Sequence, residues 1–290
     1  MIVLLEQILN GVIVGTYFTL LALGLSLIFS LGGIVNLAHG GFYAIGAYIA
    51  VEIDRHLGYP AAFAISPVIT AVIGMVIETV FLRRLAARDP VLTLLFTFGL
   101  AIIIEESLRL IWGATGLPFA IPETFQGIVV VGGFLMTYYR LAILAVVVVA
   151  VILVWLLLNR TNFGLIVKAG SSDPEVLRAM GINLRPIQTT VFALGIALAA
   201  VAGVVSAPLA GVQPAMGTEV VTAAFVIVVI GGLGSFWGTL LAGVLVGIVR
   251  GITITFLPPA ADASMYALMV LVLLLRPRGL LGEEMERLEQ

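Results

Sequence analysis

Apolar runs long enough to cross a bilayer recur from one end of this 290-residue sequence to the other, and no other feature narrows the possible folds so far. A helix needs about 20 predominantly apolar residues to span the hydrocarbon core, where every backbone polar group must find an internal partner. Such runs lie at about 11–31, 34–53, 60–82, 90–111, 139–158, 187–209, 220–231 with 236–257, and 264–276. Pro60, Pro90 and Pro186 stand at or just before three of these starts, where a missing N–H costs least. Only 10% of the residues are charged, against roughly 25% in soluble domains. The expectation is an all-α polytopic transmembrane bundle in one domain over residues 1–290. It should have about eight spans, up to ten, with broken or re-entrant Gly-rich segments. The first run lacks the pattern of a cleaved signal and is expected to remain.

Several chemistries drop out early. The sequence has no cysteine, which removes disulfides, thiolate metal sites and cysteine nucleophiles. No His/Asp/Glu grouping has metal-ligand spacing, and no basic patch suggests nucleic acid. Lys168 is the only lysine, and its VKAGS setting is not a G-x-x-x-x-G-K-[ST] phosphate loop. Any nucleotide hydrolysis that drives this protein must belong to another chain.

Positive charge gathers in three places: Arg83, Arg84 and Arg88; Arg160, Lys168, Arg178 and Arg185; Arg276, Arg278 and Arg287. The segments 113–138, 210–219 and 257–263 contain neither lysine nor arginine. The positive-inside rule therefore predicts that 83–89, 159–186 and the C-terminus are cytoplasmic and 113–138 extracytoplasmic. Its IVVV run predicts a short β-like surface element there.

Two stretches interrupt the apolar pattern. Residues 32–48 read GGIVNLAHGGFYAIGAY and put Asn36, His39, Gly40 and Gly41 inside an apolar run. Irregular backbone at depth is tolerated only where protein or a water-filled path satisfies it. Asn36 and His39 are thus expected at a buried helix break or on a translocation path, pairing with freed backbone groups. Residues 227–248 read IVVIGGLGSFWGTLLAGVLVGI, with Gly231, Gly232, Gly234 and Ser235 followed by Gly238, Ala242, Gly243 and Gly247 on one helix face. This predicts either a turn with close helix packing or a broken helix beside a cavity. The two Gly-rich breaks also pair as the halves of an internal repeat. A serine protease reading of G-L-G-S lacks a second motif.

The segment 159–186 carries local helix signals. Ser172 or Asp173 can cap a helix, Pro174 suits its first position, Glu175 favours the positive dipole end, and Gly181 supplies a stop. A two-turn helix over about 174–180 follows, with Leu177, Met180 and Ile182 offering apolar contacts and Glu175 and Arg178 at the rim. It could lie on the headgroups or its own bundle, or act as a rigid knob for a cytoplasmic motor. Among the charges within spans, Glu105 and Arg109 stand four apart and should pair, with Glu106 beside them. Glu78 near Arg83, and Arg250, should pair or snorkel.

Glu175 to Gly181, EVLRAMG, resembles the E-A-A-x-x-x-G coupling segment of ABC importer permeases through its first Glu and its Gly. GGIVNLAHGGFYAIGAY resembles the G-I-[IV]-N-[FL]-A-H-G-x-[FL]-Y motif of Liv-type branched-chain amino acid ABC permeases. DPEVLRAMGIN, GGLGSFWGTLLAG and the terminal RPRGLLG follow that family in order, and the N-A-H-G form is similar to the LivH-type half. The resemblance implies a permease subunit of an importer for branched-chain or related neutral amino acids in a bacterial or archaeal cell (inner) membrane. Its implied partners are a LivM-type second permease, two cytoplasmic ABC ATPases, an extracytoplasmic binding protein and the lipid bilayer. It implies no catalytic residue, metal or cofactor on this chain, with ATP and Mg on the ATPases. Residues 171–183, including Ser172, Asp173, Pro174, Glu175, Leu177, Arg178, Met180, Gly181 and Ile182, would seat in the ATPase. Urea or short-amide permeases share these motifs. A secondary transporter or passive channel is the alternative from another class.

Overall fold

The computed structural model describes residues 2–33, 35–86, 90–131 and 134–282. Arg88 and Arg287 of the orientation reading, and Ile34 of the interrupted motif, lie outside them. Helix α1 (Ile2–Gly32) is followed by α2 (His39–Leu57) and α3 (Tyr59–Ile77). The α3 rod continues through a π-helical turn at Glu78–Leu82 into α4 (Arg83–Ala86), and α5 (Pro90–Trp112) comes next. An outer segment then leads to α6 (Tyr138–Arg160), the short α7 (Asn162–Ser172) and α8 (Pro174–Ala179). The last four helices are α9 (Leu184–Ala210), α10 (Met216–Gly231), α11 (Phe236–Phe256) and α12 (Ala261–Leu275).

Seven of these helices are long and apolar enough to cross a membrane: α1, α3 with its extension, α5, α6, α9, α11 and α12 with its preceding turn. The polytopic helical bundle expected from the apolar runs is what the chain forms. In α1 and α9, 78% of the most apolar stretch is buried, against 17–33% in the other five. The outer helices therefore present apolar side chains to their surroundings, and α1 and α9 form the core. The expected surface element is a hairpin, with β1 (Ile128–Val131) antiparallel to β2 (Phe134–Thr137).

The core is organised by a local two-fold relation. A Cβ added at Gly24 of α1 would overlap the Gly195 carbonyl of α9, and one at Gly195 would overlap the Gly24 carbonyl. Gly40 of α2 and Gly217 of α10 block each other in the same reciprocal way. Where two matching segments touch at equivalent positions, those positions sit across a common axis. The sequence agrees: TLLALGLSL (19–27) matches TVFALGIAL (190–198), and VNLAHG (35–40) matches VQPAMG (212–217). The two breaks share their backbone path. Ala38 (φ −75°, ψ −1°) precedes α2 and Ala215 (φ −79°, ψ −7°) precedes α10. His39 N–H donates to Asn36 O and Met216 N–H to Gln213 O.

This corrects the repeat register expected from glycine content. The break at 33–38 pairs with 211–215, not with Gly231–Ser235. The latter is a tight connection between α10 and α11, in which Ser235 Oγ caps α11 by accepting from Gly238 N–H. The terminal RPRGLLG segment closes over that connection: Leu280 and Leu281 N–H donate to the Ile230 and Gly231 carbonyls. The small face of α11 packs on α1, where Gly243 meets Thr19 and Gly247 meets Gly11 and Gly15. Such faces let backbones approach closely where lipid offers no hydrophobic drive between helices.

Candidate functional site

Two places combine the sequence's candidate residues. The first is the paired break in the core. Asn36 and His39 are both fully buried at the start of α2. Asn36 Oδ1 accepts from Ala38 N–H at 3.1 Å, the side-chain turn that Asn favours over continued helix. His39 Nε2 lies 3.0 Å from the Leu21 carbonyl of α1; a carbonyl only accepts, so Nε2 carries the proton. Thr97 of α5 closes the remaining backbone, accepting from Leu37 N–H and donating toward the Val35 carbonyl. The break is thus buried, as the sequence reading required, and His39 bridges two helices. Asn36 Nδ2 and His39 Nδ1 have no partner among the described residues. Gly41 packs against Ile104 of α5.

The second break is held differently. Leu117 N–H donates to the Val212 carbonyl at 2.7 Å, Gln213 reaches the Glu219 carboxylate, and Thr218 donates to Glu105 at 2.7 Å. Arg109 pairs with Glu105 at 3.2 Å and Glu106 at 2.9 Å, as their spacing predicted, while the link from Glu105 to Thr218 was not foreseen. Two buried helix starts therefore converge on the core, and transporters build their cargo paths at such repeat interfaces. Replacing Asn36 with Ala leaves the Ala38 N–H unpaired inside protein, a loss of about 1–3 kcal/mol. The expected result is a lower melting temperature of the purified chain in detergent, and an unchanged midpoint would contradict this role.

The second place is the turn of chain between α6 and α9. Its first half folds into a helix, α7, where the sequence signals predict a helix only over 174–180. Thr161 caps it by accepting from Gly164 N–H, and Gly164 lies tight against the Leu158 backbone. Ser172 ends α7, so the cap of α8 is Asp173, whose Oδ1 accepts from Glu175 and Val176 N–H at 3.0 Å each. Pro174 holds the first helical position, and Gly181 adopts φ +79°. Ile182 N–H donates to Leu177 O and Gly181 N–H to Arg178 O, the paired bonds of a Schellman stop. The expected two-turn helix is present, sealed at both ends.

Its faces differ from expectation. Leu177 points inward and is buried, close to the same Gly170 position that meets Leu31 and Leu184. Ile182 turns toward a cavity beside α8. The outward apolar pair is Met180 with Val176, which stand four apart and are 70% and 53% exposed. Because the helix ends at Ala179, a face projected to residue 182 could not hold. Glu175 and Arg178 remain exposed. Behind α8, the π-helical turn aims Glu78 into the protein, where Arg83 pairs with it at 3.0 Å and Thr189 of α9 donates to it at 2.8 Å. Arg83 also donates to Thr189. Arg250 pairs with Asp262 at 3.2 Å.

The family model for the permease component of the branched-chain amino acid transport system matches residues 7–273. The high-affinity branched-chain amino acid transport system permease protein BraD of Pseudomonas aeruginosa is 32% identical, over 96% of this chain and 95% of its own. The corresponding protein LivH of Escherichia coli strain K12 is 30% identical over the same shares. LivM of the same strain is 28% identical over 91% of this chain but 67% of its own length.

Proposed function

The chain belongs to the family of branched-chain amino acid transport permease components, and from that premise we propose that it is the LivH-type membrane subunit of an ABC importer. Its cargo is a branched-chain or related neutral amino acid. A LivM-type permease completes the pathway, two cytoplasmic ABC ATPases drive it, and an extracytoplasmic binding protein delivers the cargo. The C-terminus and residues 159–186 face the cytoplasm, and 113–138 face outside.

The observation that carries this reading is α8. A two-turn helix alone in water is unstable, so capping it at both ends and anchoring it through Leu177 gives a stiff element. Its outward side offers Val176 and Met180 between Glu175 and Arg178, an apolar centre with a charged rim of the kind that docks in a cleft. Two residues after Gly181 the chain enters α9, a core helix, with Asn183 Oδ1 capping it through Arg185 N–H. Motion imposed on α8 by an ATPase would therefore reach the centre of the bundle directly. The paired breaks at Gly40 and Gly217 are the place where that motion would open a path.

The test is reconstitution in liposomes. With all partner subunits and ATP, leucine uptake is expected; with this chain alone, none. Flux without ATP would replace the reading with a channel, and dependence on an ion gradient would replace it with a secondary transporter.

A further inference from the structure

Beside α8 lies a cavity of about 890 Å³, which shares Pro174, Arg178 and Ile182 with the coupling segment and extends inward from it to α1, α4 and α9. Arg83, Arg84, Arg178 and Arg185 line it, with Glu78 the only carboxylate of the lining among the described residues. Arg83 is committed to Glu78 and Thr189. The side chains of Arg84, Arg178 and Arg185 make no hydrogen bond or ion pair among the described residues. Clustered guanidinium groups inside a concave surface focus potential on an anion, and their planar forks suit phosphate oxygens. The rest of the lining is mostly apolar, with Asn183 and Gln188 its other polar side chains. Leu31 and Phe192 form part of an apolar back wall. Outside, the exposed apolar side of α3 runs through Val80 and Phe81 straight up to Arg83 and Arg84. A free inorganic anion would use the charges and leave the apolar half idle. An amphipathic anion uses both.

We propose that this cavity holds the phosphate headgroup of an anionic phospholipid, with its acyl chains along the apolar side of α3. Basic pockets between membrane helices at the cytoplasmic face are suited to such headgroups. The depth assigned to the cavity rests on the orientation proposed above. The occupant touches α4, α8 and the start of α9 together, so it braces the segment through which the ATPases would act.

The test uses the purified full chain in detergent, titrated with phosphatidylglycerol or phosphatidylcholine and followed by native mass spectrometry. Phosphatidylglycerol is expected to be retained in preference to phosphatidylcholine. The double substitution Arg84→Gln and Arg185→Gln should weaken phosphatidylglycerol retention by about 30-fold, at about 1 kcal/mol for each arginine near an anionic surface. Arg84→Lys with Arg185→Lys keeps the charge but loses the planar forks, so its retention should fall between the wild type and the Gln pair. Both positions are exposed, so neither pair threatens the fold. Equal phosphatidylglycerol retention in the wild type and the Gln pair would overturn the proposal. So would complete displacement of the lipid by millimolar inorganic phosphate, which would make this a site for a free anion. Neither readout involves uptake, so failure of the importer reading and failure of the lipid site are told apart.

Discussion

A single methyl group added at Gly40 or at Gly217 is expected to prevent stable assembly of the bundle, while the same change at Gly99 is expected to be harmless or stabilising. In a helix interior, alanine is favoured over glycine by about 1 kcal/mol, so Gly→Ala raises stability wherever space allows. Gly99 lies within α5 with nothing within 4 Å of an added Cβ. At Gly40 the added carbon falls within 3 Å of the Gly217 carbonyl, and at Gly217 it falls on the Gly40 carbonyl. The obstacle in both cases is backbone, which cannot rotate aside as a flexible side chain would. Overpacking a tight interior costs typically about 1–3 kcal/mol and sometimes more, and here relief requires two helix starts to separate. The sign of the effect therefore reverses between Gly40 and Gly99, which propensity alone does not allow. Size-exclusion profiles and melting temperatures of the three variants in detergent measure it. A Gly40→Ala chain that melts at or above the wild type would remove the close crossing of α2 and α10 from the account.

That crossing also marks where the sequence was hardest to read. Helix positions were legible because lipid imposes long apolar runs, and Pro60, Pro90 and Pro186 punctuate them. The caps of α8 were legible because Asp173, Pro174 and Gly181 act on neighbours within a few residues. The pairing of Glu105 with Arg109 was foreseen from spacing along one helix, whereas for Glu78 pairing was one of two expected outcomes and the π-helical turn brings Arg83 to it. What failed was information spread across the chain. Matching the breaks by glycine content paired the wrong segments, because glycine marks close packing and tight turns alike. The shared V-[NQ]-x-A-x-G pattern, with the upstream ALG match, was the signal that would have found Gly217 and Gln213. No local pattern links RPRGLLG to the turn at Gly231; both motifs were noted, but only the fold shows that one closes over the other. Leu177 was left between a partner and its own bundle, because periodicity gives a helix its faces but not which of them meets its own bundle. Val176 was overlooked for the same reason. The arginines of the cavity come from three separate places, α4, α8 and the start of α9, and nothing local in the sequence brings them together.

Gly181→Pro is expected to leave the bundle assembled and abolish the stimulation of ATP hydrolysis by substrate-loaded binding protein. Gly181 sits at φ +79°, whereas proline is fixed near −65°. Proline also lacks the N–H that reaches the Arg178 carbonyl, and it disfavours the backbone of Met180 before it. The Schellman stop is lost, at a local cost of about 3 kcal/mol, and α8 has too few turns to persist without it. Its neighbours have their own caps, at Thr161 for α7 and Asn183 for α9, so the damage stays within the knob. Gly181→Ala is a graded control: it keeps the N–H and meets only the left-handed penalty of about 1–2 kcal/mol, so stimulation should fall without vanishing. Glu175→Lys tests the rim separately. It leaves the Asp173 cap in place and costs only about 0.3–1 kcal/mol against the helix dipole, so a lost response there reports on docking rather than on folding. Full substrate-stimulated hydrolysis in both Gly181→Pro and Glu175→Lys, measured on the reconstituted complex, would mean that the ATPases do not act through α8. If stimulation is lost while the subunits still co-purify, the stiffness of α8 is what transmits the stroke, because attachment would have survived without it.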